Sequence, residues 1–149
     1  MSSRVQIPVD EYLRTSYQPD CDYVEGGLLE RNAGDFLHSI TQGEVYARLR
    51  LGERQFRVAD AAAFEEPIPA VKHPSSPPLV VVEIVSPDDR HGEIVRKLDE
   101  CFRWGCPNVW LVDPNNRRLY VYSERGLAET PVLELPAHEI RWTIDDLTG

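Results

Sequence analysis

The chain has 149 residues, with 16 Lys+Arg against 25 Asp+Glu and a formal net charge of -9. Its 42% hydrophobic and 28% charged residues are the make-up of an ordinary folded chain, which excludes disordered and collagen-like classes. The acidity argues against loose, sequence-independent nucleic-acid binding over the whole surface, and the longest apolar run, Leu79 to Val82, falls far short of the ~20 residues that cross a bilayer.

That length suits one domain over residues 1–149, with a short N-terminal helix and an acidic C-terminal tail. Met1 to Asp10 shows no basic region leading into an apolar stretch, so no signal peptide and a cytoplasmic location are expected. Cys21, Cys101 and Cys106 are odd in number and irregular in spacing, which suits buried thiols better than a disulfide or metal framework.

Along the chain, Val9, Tyr12 and Leu13 after Pro8 predict a helix over 8–16. Asp22 to Arg31 reads as a hairpin turning at Gly26-Gly27. Asp35 can cap a helix running to about Leu51, with Phe36, Ile40, Val45 and Leu49 inward. Arg54 to Phe64 looks like one strand rich in small residues, and the prolines of Glu65 to Pro78 mark a loop. Leu79 to Val85 is apolar on both faces apart from one acid, as in a central strand covered on two sides. Ser86-Pro87-Asp88-Asp89 offers caps for a helix from Gly92 to Trp104, which Gly105 and Pro107 end. Val109 to Val112 and Leu119 to Tyr122 are strands joined by a turn at Asp113-Pro114-Asn115-Asn116, and the tail ends near Ile144 to Leu147. The fold class is α/β (α+β): a mixed sheet flanked by helices.

Three residues can carry chemistry. Glu83 is a carboxylate inside the strongest strand, where an apolar side chain would be cheaper; the plain alternative is an acid reaching water or an arginine. Asp60 lies among small residues that leave room for an approaching group. Two acids from neighbouring strands can converge on a hard divalent cation, since Mg²⁺ takes oxygen ligands. Lys97 sits at the edge of the stripe Ile94, Val95, Leu98, Cys101 and Phe102. Its ammonium can point toward the sheet or pair with Glu93 at i, i+4 spacing, and the wheel does not choose between them. Asp60, Glu83 and Lys97 together suit metal-assisted phosphodiester hydrolysis. His38 suits a helix histidine bonded to backbone or an acid better than a ligand. Trp104, Trp110 and Trp142 suit core or interface, and Ser86 lacks a nucleophile context.

The strings Tyr23-Val24-Glu25-Gly26, Arg57-Val58-Ala59-Asp60, Val82-Glu83-Ile84-Val85-Ser86-Pro87 and Gly105-Cys106-Pro107-Asn108-Val109-Trp110-Leu111-Val112-Asp113-Pro114, with His38 and Lys97, occur in the order of one family. From about Tyr12 to Tyr122 the sequence resembles the Uma-two family of restriction endonuclease-like proteins, within the PD-(D/E)XK nuclease superfamily. The resemblance implies a restriction-endonuclease-like fold and a Mg²⁺ (or Mn²⁺) nuclease centre. Asp60 and Glu83 match the family's motif acids and would be metal ligands. Lys97 matches the lysine on the following helix, and Asp22 falls where the family usually has a glutamate. The sequence departs from the pattern at Ala59, where a proline is usual, and at Val85, where the superfamily's own lysine would stand. Residues 51–57 are also short for the family. The resemblance thus implies a metal-dependent DNA endonuclease, with DNA contact weak or metal-dependent, no membrane partner and room for a homodimer. The alternative is an inert nuclease-fold binding or assembly domain.

Charge is uneven. Residues 1–31 carry 3 basic and 6 acidic groups and 124–149 carry 2 and 6, leaving 11 and 13 in the middle. Arg48, Arg50, Arg54 and Arg57 are there to face phosphate.

Overall fold

The computed structural model describes residues 5–17, 21–29, 47–65 and 74–148. The helix expected from Asp35, including Phe36, His38, Ile40 and Val45, falls outside them except at its end.

Helix α1 (Val9–Arg14) follows Pro8, whose φ of -65° is preset for a helix start. Asp10 and Glu11 lie in its first turn and Arg14 in its last, matching the helix dipole. Its buried Tyr12 donates to the Cys21 carbonyl at 2.7 Å and packs on Tyr23 and Phe56, with ring centroids 4.9 and 5.3 Å away. Strands β1 (Asp22–Val24) and β2 (Gly27–Leu29) form the expected hairpin. Its turn is Glu25-Gly26, one residue earlier than the glycine pair suggests. Both residues have positive φ, 51° and 83°, as a tight hairpin turn of matching twist requires.

Residues 47–51 are strand, not the end of a helix. Ala47, Leu49 and Leu51 alternate with Arg48 and Arg50, a period of two that fits the pleat of β3 (Ala47–Gly52) better than a helical turn. The stretch 51–57 holds the turn at Glu53-Arg54 and the start of β4 (Gln55–Ala59), which pairs antiparallel with β3. The single strand expected over 54–64 is broken at Asp60. Before it, β4 belongs to a four-stranded sheet ordered β2-β1-β4-β3; after it, β5 (Ala61–Ala63) belongs to a five-stranded one.

That larger sheet is ordered β5-β6-β7-β8-β9, with β6 (Val80–Ile84), β7 (Asn108–Asp113), β8 (Arg118–Ser123) and β9 (Gly126–Thr130). Strands β6 and β7 are parallel, and α2 (His91–Trp104) is the crossover between them. Every residue of β6 is buried, as its two-sided apolarity requires. Val81 lies under α2 with Leu98 and Cys101, in a core that also takes Leu49 from β3 and Ala59 from β4. Val80, Val82 and Ile84 face the opposite core with Trp110, Leu119, Leu133 and Leu135. That second face is closed by the tail: β10 (Leu133–Leu135), β11 (Ile140–Trp142) and α3 (Ile144–Thr148). The architecture is mixed α+β. Among the described residues no helix is long and apolar enough to cross a membrane.

Helix α2 ends as its sequence implies, on Gly105 at φ 118°. Its start differs. Asp89 accepts the Ser86 backbone N–H at 2.7 Å and so closes the turn before the helix. The helix cap is Arg90, which makes no side-chain cap bond.

Candidate active site

The site lies where the two sheets meet under α2. Chain geometry explains why. Extending the antiparallel pairing Ala61↔Val82 by one step sets Asp60 opposite Glu83, on the sheet face that carries Val81 and looks toward α2. Opposed residues of neighbouring strands have Cβ atoms roughly 5 Å apart. Asp60, 1% exposed, is fixed by the Ile84 backbone N–H, which donates to Oδ2 at 2.8 Å. A side chain thus takes a donor that a neighbouring strand would otherwise satisfy.

Lys97 points inward. Its Nζ donates to the Val58 carbonyl at 2.6 Å and lies 3.0 Å from Glu83 Oε1 and 3.9 Å from Asp22 Oδ2. The i, i+4 alternative is not adopted, because Glu93 turns to Arg57 instead. Asp22 stands at the start of β1, with Oδ1 accepting the Val58 N–H at 2.8 Å and Oδ2 accepting Arg57 Nη1 at 3.0 Å. The polar groups of Val58 are thereby satisfied by Asp22 and Lys97. The structure brings Asp22, Glu83 and Lys97 into one network, and the strand register sets Asp60 beside it.

Arg57 is the residue the sequence reading misplaces. It does not face outward toward phosphate but is 1% exposed. Nε donates to Glu100 Oε2 at 2.5 Å, Nη1 to Asp22, and Nη2 stands 3.6 Å from Glu93 Oε1. Burial works against its charge, but the Glu100 hydrogen bond and the charges of Asp22 and Glu100 outweigh burial and raise its pKa above the usual arginine value. Arg50 is spent locally too, donating to the carbonyls of Gly52 and Glu53 and lying over the Phe56 ring at 5.3 Å. Arg54 reaches Gln6. The Arg48 side chain lies outside the described residues.

Among the described residues, formal charge in this region does not balance. Asp22, Asp60, Glu83, Glu93 and Glu100 surround two buried cations, Arg57 and Lys97, and Arg96 reaches Glu100 from the surface. A surplus of hard oxygen donors is the chemistry a divalent cation compensates. Among the described residues no three of the types His, Cys, Asp and Glu converge as an all-protein metal cage. Two neighbouring carboxylates still fit Mg²⁺, which keeps waters and needs only one or two acids. Burial and the Glu83 charge push the Cys101 thiol well above its ordinary range. Burial likewise pushes Cys106 up to about 11. Both cysteines therefore stay protonated near neutral pH, and neither is a nucleophile there.

A family model described as "Putative restriction endonuclease", Uma2, matches residues 27–141. The chain belongs to the Uma2 family. A crystal structure titled as a putative nuclease belonging to DUF820, from Anabaena variabilis, superposes on this Uma2 chain with a TM-score of 0.73. It is 21% identical, and the match covers 95% of this chain and 97% of that one. At that identity the likeness establishes the Uma2 fold. No curated protein matches the sequence.

In this Uma2 chain the residues that sequence reasoning missed are Glu93 and Glu100, and with them the true place of Arg57. The signal was present: Glu93, Lys97 and Glu100 recur at i, i+4 and i+7 beside the apolar stripe, so one polar edge of α2 faces inward. Of the tryptophans, one is in the core, one lies at a core margin and Trp142 is exposed at 36%. Trp110 is buried, with Trp142 packed edge-on against it at 6.0 Å, and Trp104 packs at the margin of the α2 core. Ser86 is buried at 3% exposure.

Proposed function

We propose that this chain is a metal-dependent endonuclease that hydrolyses phosphodiester bonds of DNA, with Asp60 and Glu83 holding Mg²⁺ or Mn²⁺. The observation that carries the reading is Lys97, whose ammonium is held inside the sheet junction 3.0 Å from Glu83 instead of extending into solvent. A divalent cation bound there supplies Lewis-acid polarisation of a phosphodiester and a lower pKa for bound water.

The chain's own groups do the rest. Lys97 is a proton donor and positive charge fixed beside the acids, placed to stabilise negative charge on a phosphoryl oxygen and to orient an attacking water. Val58 and Glu83 hold it in place, so little reorganisation is needed when charge develops. Asp60 is prevented from turning away by the Ile84 N–H. Asp22 supports β4, which carries Val58 and leads into Asp60, through the Val58 N–H. The family's description, "Putative restriction endonuclease", supports the substrate class.

Supercoiled plasmid incubated with purified protein and Mg²⁺ or Mn²⁺ tests the assignment. Nicking is expected, and Glu83→Ala is expected to abolish it. Nicking that persists unchanged in Glu83→Ala sinks the site. A folded wild-type protein that never nicks supports an inert nuclease-fold binding domain.

A further inference from the structure

We infer that Arg57 is a positioning residue for Lys97, acting through two separate routes that meet at the ammonium. This inference rests on the nuclease reading only for what Lys97 does; where Lys97 is held is a matter of geometry.

The first route runs through the sheet. Arg57 Nη1 holds the Asp22 carboxylate at 3.0 Å, Asp22 accepts the N–H of Val58 at 2.8 Å, and the carbonyl of that residue accepts Lys97 at 2.6 Å. The second runs through α2. Arg57 Nε donates to Glu100 at 2.5 Å and Nη2 faces Glu93 at 3.6 Å, one turn to either side of Lys97 on the same helix edge. One planar guanidinium therefore fixes both the strand that supplies the acceptor and the rotation of the helix that supplies the donor. A fork with several donors in a rigid plane reaches these three acids in fixed directions, which a lysine's compact ammonium on a flexible stem does not reproduce.

The fold alone does not demand such a residue. A buried charge in this place is expensive, and apolar packing of the same volume is often as stable. Asp22 lies 3.9 Å from Lys97. Without Arg57, Asp22 Oδ2 loses its guanidinium partner while Oδ1 keeps the Val58 N–H, and that oxygen then competes with Glu83 for the ammonium. Arg57 keeps Asp22 occupied, so that Lys97 stays with Glu83.

The chain has two lysines, Lys72 and Lys97, which gives a direct readout. Reductive methylation followed by mass spectrometry reports the reactivity of Lys97, with Lys72 as internal reference. In folded Arg57→Met, Lys97 is expected to react roughly tenfold faster or more, the change that losing one charge-assisted hydrogen bond gives, with Lys72 unchanged. If Arg57→Met does not fold, Arg57→Lys keeps the charge and is expected to release Lys97 in the same direction. In the plasmid assay, kcat for either folded variant is expected to fall about tenfold or more with little change in KM, as for a misplaced catalytic group.

Folded variants in which Lys97 reacts at the wild-type rate overturn the inference, and so does nicking with unchanged kcat; a purely structural arginine predicts both. If Lys97 is released as expected but the wild-type protein does not nick, the positioning stands and the nuclease reading fails.

Discussion

Lys97 is an ammonium in an interior position, satisfied by one carbonyl and one carboxylate. Replacing it with Met removes both partners' cation and leaves Glu83 buried beside the Val58 carbonyl. Breaking a buried pair in this way costs about 3 kcal/mol or more, so urea unfolding of Lys97→Met should show a loss of that size. Its nicking rate should fall at least about 100-fold, as when one donor is removed from a charge-stabilising site. The cysteines give a pH signature. A thiol raised by burial from 9.0 to about 11, as in Cys106, holds its proton more tightly folded than unfolded. Its contribution to stability is complete below pH 9 and is lost as pH rises through 11. Cys101, raised by burial and by Glu83, works in the same direction. Unfolding free energy should therefore drop by about 2 kcal/mol or more between pH 9 and 11. The drop should be shallower in Cys106→Ala.

At the scale of elements, α2 joins the parts of the site, because its apolar stripe packs on β7 and β8 while its polar edge reaches Arg57 and Val58 of β4. Its C-terminal stop depends on Gly105 at φ 118°, where an added Cβ would also meet Pro77 Cγ at 3.3 Å. Gly105→Ala should cost about 1–2 kcal/mol, the ordinary penalty for a side chain in left-handed backbone, measurable by urea unfolding. The elements also show what the sequence makes legible. Strand β6 and helix α2 have long apolar patterns with one reading each. The stretch 47–51 failed as a helix because Leu49 fits both a helical face continuing from Val45 and a period of two shared with Ala47 and Leu51. The break at Asp60 was hidden for a different reason: three alanines carry no facing preference, so nothing local shows that the chain leaves one sheet for another there.

At the scale of the molecule, the tail is structural. Leu133 is fully buried and Leu135 nearly so, against Trp110 and Leu119 on the face of the five-stranded sheet away from the site. Leu133→Ala should therefore destabilise by about 2–5 kcal/mol, while thermal unfolding stays cooperative. Little of this was legible, since two apolar residues in a charged tail give no long period. The site was half legible. Asp60, Glu83 and Lys97 stood out as polar residues in apolar surroundings, whereas Arg57 needed three dimensions, because its partners come from β1 and α2. The chain's excess of acid also takes on a location. Among the described residues, part of it lies in the carboxyl groups around Arg57 and Lys97, where the proposed divalent cation would bind.

Titration calorimetry of Mn²⁺ into the wild-type protein and into folded Asp60→Asn and Glu83→Gln tests that claim most directly. One site with a dissociation constant of about 1 mM or tighter is expected in the wild type, weakened at least about tenfold in each variant. Equal Mn²⁺ binding in all three proteins, or none in the wild type, would contradict it.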